Sequence, residues 1–178
     1  TARPFLEEAQ RAADERRLSS AVTFVERDMR DLPWRAAFDG AFCFWESFGY
    51  FDEAGNRAFL EAVASTLKPG ARFVLDTHVV ETLLSRAHQR SWSRFEDGLL
   101  ALEEFEYDHV AGTVTRHWIF SRGGHTEEHR LTFRLYTYRE LAALVESAGF
   151  SVVGAHDYLT LEPFRLGASR LVLAAARV

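Results

Sequence analysis

The sequence predicts an α/β domain, and three observations carry that prediction. Short apolar runs rich in aromatic and β-branched residues recur at 21–26, 38–45 and 71–80, with helical spacing before and between them. A Pro69-Gly70 pair separates one helical stretch from the strand-like run after it. From 91 to 136 the pattern changes to period two, as expected of antiparallel strands.

Taken in order, "PFLEEAQRAADERR" (4–17) opens on Pro4 and spaces Phe5, Leu6, Ala9, Ala12 and Ala13 along one helical face. "AVTFVE" (21–26) and "FDGAFCFW" (38–45) read as buried strands, with the loop "RDMRDLP" between them. "NRAFLEAVASTLKPG" carries Phe59, Leu60, Val63 and Leu67 at helical spacing, and "ARFVLDTHVV" follows as another strand. This alternation predicts crossovers onto a parallel sheet. The runs "SWSRFED", "LLALEEFEYD", "TVTRHWIF" and "EEHRLTFRLY" are joined by turn signals at Asp97-Gly98, Ala111-Gly112 and Gly123-Gly124. They predict an antiparallel insertion at 91–136, placed as a lid or platform. "TYRELAALVESAGF" begins with the capping box Thr137/Glu140 and closes at Gly149. "SVVGAHDY" and "RLVLAAARV" then read as two paired strands.

A chain of 178 residues, 47% apolar and 26% charged, suits one domain spanning 1–178. A formal charge of −5 with arginines scattered among acids lacks the footprint of a nucleic-acid binder. Cys43, the lone cysteine, lies in an apolar run and fits a reducing, cytoplasmic setting. Neither a bilayer-spanning run nor a signal-peptide pattern is present, so no membrane partner is expected.

In an open α/β sheet, ligands bind beyond the carboxyl ends of the strands. The loop 27–33 offers Asp28 and Asp31 around Met29: a carboxylate and a thioether that suit an adenine ring, or else an ordinary turn acid. The loop "WESFGYF" (45–51) holds four aromatic residues with Glu46, Ser47 and Tyr50, either walling a small-molecule pocket or covering the core. His78, after "VLDT", points toward the same crevice as a general base or a capped surface residue. "HTEEH" (125–129) falls near a hairpin and lacks the helical spacing of a zinc motif, so no metal is expected.

Together, "FVERDMRDLP", "FDGAFCFWESFGYF", "LKPGARFVLD", "RLYTYRELAALVESAGFSVV" and "RLVLAAARV" resemble the class I S-adenosylmethionine-dependent methyltransferases, in particular small-molecule enzymes with an antiparallel insertion before the last helix. The resemblance implies a Rossmann-like sheet, S-adenosylmethionine as cofactor with S-adenosylhomocysteine as product, and a small-molecule methyl acceptor. It implies Asp28 and Met29 at the adenine, and Phe44 and Trp45 at the methionine portion. Glu46 and His78 would be catalytic, with Ser47, Tyr50, Tyr158 and Arg165 toward the acceptor. The family's glycine-rich loop and ribose-binding acid have no counterpart in these residues, so the first two strands are expected to be missing. Three explanations follow: an N-terminally truncated enzyme, a homodimer that recovers strands from a second copy, or a non-catalytic binding module.

Overall fold

The computed structural model describes residues 3–178. Helix α1 (Arg3–Glu15) comes first, and the next regular element is strand β1 (Phe38–Cys43). Helix α2 (Glu53–Thr66), strand β2 (Leu67–Thr77) and the one-turn helix α3 (Val80–Leu83) follow. Strands β3 (Arg90–Arg94), β4 (Leu100–Asp108), β5 (Thr113–Arg122) and β6 (His125–Arg134) come next. Helix α4 (Tyr138–Ser147) and strands β7 (Phe150–Asp157) and β8 (Leu171–Arg177) complete the chain.

Two four-stranded sheets result. The main sheet has the order β1-β2-β8-β7, and the second is the meander β3-β4-β5-β6. In the main sheet only β1 and β2 run parallel, since β8 is antiparallel to both β2 and β7. The expected parallel crossover is therefore real but limited to one α2-containing connection, and the sheet is mixed. The period-two runs pair as expected, each strand antiparallel to the next.

One strand expectation fails. Residues 22–28 contain no strand, and Val22, Phe24 and Val25 remain 36–45% exposed. A strand persists only as part of a hydrogen-bonded ladder, and β1, the edge of the main sheet, does not pair with this segment. The apolar pattern alone cannot supply that partner.

The core lies between one face of the main sheet and helices α2 and α4. Phe73 and Leu75 of β2 stand opposite Ala175 and Leu173 of β8, and all four are fully buried. Leu60 and Val63 of α2 and Leu141, Leu144 and Val145 of α4 close over them. Each such side chain contributes about 1.5–3 kcal/mol by leaving water. Phe73 meets Phe150 with ring centroids 5.3 Å apart.

Local signals place the helices. The Asp52 carboxylate accepts from the Gly55 amide at 2.7 Å and starts α2. Thr137 and Glu140 form the expected capping box of α4, and Gly149, at φ 95°, ends it. The two sheets are tied at Gly49. Its carbonyl accepts from the Arg134 amide at 2.8 Å, and a Cβ there would stand 2.7 Å from the Arg134 carbonyl oxygen. Buried Asn56 strengthens this junction by donating to the Phe51 carbonyl and to Tyr136 Oη.

Candidate active site

The carboxyl ends of β1 and β2 lie side by side, and the chain leaving β1 turns sharply. Trp45 and Glu46 both adopt left-handed backbone, at φ 60° and 57°. Such conformations cost on the order of 1–3 kcal/mol each for residues with a Cβ, so the surroundings must hold them. Asp76, at the end of β2 and 1% exposed, does part of this by accepting from the Trp45 amide at 3.2 Å.

Arg170, just before β8, completes the arrangement. Its Nε donates to Asp76 Oδ1 at 2.5 Å and its Nη1 to Glu46 Oε1 at 3.3 Å. Nη2 is buried without a hydrogen-bond partner among the described residues, while the guanidinium carbon sits 3.9 Å from the Tyr158 ring centroid. That ring face supplies electrostatic attraction where a hydrogen bond is missing. The loop that carries Tyr158 is fixed by Asp157, whose carboxylate accepts from the amides of Leu159, Thr160 and Ser169. These bonds, that from Ser169 foremost, hold the Asp157 carboxyl well below the usual carboxylate range.

His78 approaches Glu46 from the end of β2. Its Nε2 is 3.1 Å from Glu46 Oε1, and its Nδ1 is 3.1 Å from Thr82 Oγ1. The His78 hydrogen bond lowers the Glu46 pKa most, and the charges of Arg116 and Arg170 act in the same direction against the desolvation of burial. Glu46 is therefore ionised at neutral pH. Its Oε2 has no hydrogen-bond partner among the described residues, and the side chain is 33% exposed. Arg116 belongs to the meander, where its guanidinium carbon is 6.0 Å from the Phe105 ring centroid and 5.8 Å from that of Trp118, and its Nε is 3.4 Å from Glu103 Oε1.

The sequence-based candidates separate into two groups. Glu46 and His78 are in contact, and Trp45 and Tyr158 join them through Arg170. Tyr50 is 46% exposed, with its ring 6.1 Å from that of Phe133, and burial of its hydroxyl raises its pKa. Phe44, 39% exposed, stacks toward Phe42 at 5.0 Å. Ser47 donates to the Phe44 carbonyl at 2.8 Å, so its hydroxyl is engaged within the turn. Arg165 is exposed and takes no part in the ion pairs described, whereas Arg170 does.

Asp28 is paired with Arg30 at 2.7 Å, which draws its pKa down to about 2. Arg30 in turn lies 4.2 Å over the Phe51 ring, tethering the 27–31 segment to the loop after β1. Met29 is half-buried and lines an apolar cleft of about 350 Å³ along β1 with Leu32, Trp34, Phe42 and Cys43. A larger cleft of about 810 Å³ lies away from this cluster, beside His117 and Arg130 of the meander.

Sequence reasoning did not assign Asp76, Arg170 or Arg116. Asp76 left a signal, as the one acid closing an apolar run, "RFVLD". Arg170 and Arg116 left none, because each enters the site through contacts far away in sequence.

Comparison with known proteins bears on the fold. Residues 1–70 match the family model described as a methyltransferase domain. The CcbJ methyltransferase from Streptomyces caelestis superposes with a TM-score of 0.84 at 20% identity, covering 98% of this chain and 71% of that one. The fold is that of the class I S-adenosylmethionine-dependent methyltransferases. An S-adenosylmethionine-dependent methyltransferase from Clostridium acetobutylicum gives a TM-score of 0.81 at 17% identity, covering 97% of this chain and 70% of its own. The sugar N-methyltransferase KedS8 from a Streptoalloteichus species gives 0.68 at 22%, covering 97% and 68%. No curated protein matches. The resemblance read from the sequence and its fold class are thus borne out, and the enzyme class and cofactor that it implies agree with these findings. Among the described residues no helix is long and apolar enough to cross a membrane.

Proposed function

We propose that the strand-end cluster transfers a methyl group from S-adenosylmethionine to a small-molecule acceptor. The observation that carries this reading is the ionised, partly open Glu46, held by His78 and Arg170 beside exposed Trp45 at the carboxyl ends of the parallel strands.

The residues present fit the adenine and methionine portions of the cofactor, while the glycine-rich loop and ribose-binding acid of the family are not among them. Met29 and the apolar cleft along β1 offer a surface for a flat ring. Asp28 Oδ2 accepts one bond from Arg30, and a carboxylate oxygen has capacity for a second donor such as an adenine amino group. Phe44 and Trp45 present apolar surface for the methionine portion. S-adenosylmethionine supplies a methyl group already activated on a sulfonium sulfur. What remains for the protein is placement and exclusion of water. Glu46 and Tyr50 hold the acceptor on the main-sheet side, His78 and Arg170 fix Glu46, and the meander with Arg116 and Trp118 acts as the lid. Ser47 and Arg165 have peripheral roles, shaping the turn and the rim.

Calorimetric titration of the protein with S-adenosylhomocysteine tests this reading. Saturable binding of one molecule per chain is expected, with no comparable affinity for NAD. Asp28→Ala should weaken that binding roughly tenfold through loss of an acceptor. A folded protein that binds NAD in place of S-adenosylhomocysteine would overturn the proposal.

A further inference from the structure

Resting on the methyl-transfer reading above, we infer that the acceptor presents an amine nitrogen to the open oxygen of Glu46, and that the site works without a general base. The argument comes from which groups around Glu46 are free and which are engaged.

A hydroxyl acceptor must lose its proton during attack, because a protonated ether is too acidic to persist, and this requires a base within reach. No group in the cluster serves. His78 has Nε2 at 3.1 Å from Glu46 Oε1 and Nδ1 at 3.1 Å from Thr82 Oγ1, so neither ring nitrogen faces the acceptor unpartnered. Glu46 is held below the usual carboxylate range by His78, Arg116 and Arg170, which makes it a poor proton acceptor. The Tyr50 phenol is pushed up by burial and stays protonated. Asp76 is buried and already bonded to Arg170 and the Trp45 amide.

An amine needs no base during the attack itself. In solution it first gives up its ammonium proton to water, and the neutral form then attacks with its own lone pair: the nitrogen–carbon bond forms, and the carbon–sulfur bond breaks with its electron pair left on sulfur. Positive charge passes from sulfur to nitrogen, and the resulting ammonium later releases a proton to water. A fixed anion beside the nitrogen favours this movement of charge. Glu46 Oε2 accepts an amine N–H, orients the lone pair away from itself and faces the cation as it forms. The exposed rings of Trp45 and Tyr50 add faces that attract a cation. His78 and Arg170 are positioning residues, acting through Glu46.

The test uses compounds matched in carbon skeleton, cyclohexylamine with cyclohexanol and glucosamine with glucose. Binding is measured first, without a methyl donor, through tryptophan fluorescence. At least one amine should bind more tightly than its hydroxyl partner, and Glu46→Gln should weaken that binding roughly 10- to 100-fold. Glu46→Asp, which keeps the charge, should retain an intermediate affinity and controls for folding. Transfer from labelled S-adenosylmethionine should then place the label on the amine. Preference for the hydroxyl compounds, failure of every amine to bind, or binding indifferent to Glu46→Gln would each overturn the inference while leaving methyl transfer standing. Failure to bind S-adenosylhomocysteine would overturn the methyl-transfer reading and this inference with it.

Discussion

On the helix-covered face of the main sheet, Phe73, Leu75 and Leu173 are completely buried in an apolar cluster. A few residues along the same strands, Asp76 is 1% exposed, and the side chains of Arg170 and His78 are 14% and 19% exposed. Burial is similar in the two regions, but the physics is opposite. The apolar face is stabilised by removal from water, whereas charges of this kind lose hydration and recover it only through one another. Such a cluster contributes little net stability, so its presence at the strand ends points to function.

The largest expected effect falls on the apolar side. Phe73→Ala should lower unfolding free energy by about 4 kcal/mol, as the ring and its contact with Phe150 are replaced by a cavity. Urea denaturation measures this, and a loss under about 1 kcal/mol would show that the two faces are not as different as described. Next comes Arg170→Ala, which leaves Asp76 buried and unpaired and should cost about 3 kcal/mol. A small loss there would mean that water already reaches Asp76. The smallest is Thr137→Ala, at about 1 kcal/mol, because it removes only the cap of α4 and touches neither region.

These regions also differ in how far sequence reveals them. Leu60, Val63, Leu141, Leu144 and Val145 announce their faces by spacing, because a helix repeats locally. The capping box at Thr137 and the closing Gly149 are equally local. The meander follows from alternation and three glycine turns. By contrast, Arg170 meets Asp76 across 94 residues and Glu46 across 124, and no periodicity encodes such a meeting. Glu46 and His78 drew notice because each lies in the loop after a strand, where ligands bind in such sheets, and the structure brings the two into contact. Arg165 entered through the family resemblance, whereas Arg170, five residues on, is the arginine that meets Asp76 and Glu46. The strand expected at 21–26 failed for a related reason: apolar pattern encodes willingness to pair, while the neighbour comes from elsewhere in the fold.

The most direct measurement pairs stability with activity in the double variant Asp76→Leu/Arg170→Met. Replacing both members of a buried ion pair by apolar residues of similar size is often close to neutral for folding. The structure predicts that this variant recovers most of the stability lost in Arg170→Ala, to within about 2 kcal/mol of the parent, the remainder reflecting the Trp45 amide left without its acceptor. It also predicts that methyl transfer falls at least tenfold, because the Trp45-Glu46 turn is no longer fixed. A double variant as stable as expected that transfers methyl groups at the parent rate would contradict the assignment of this cluster to function.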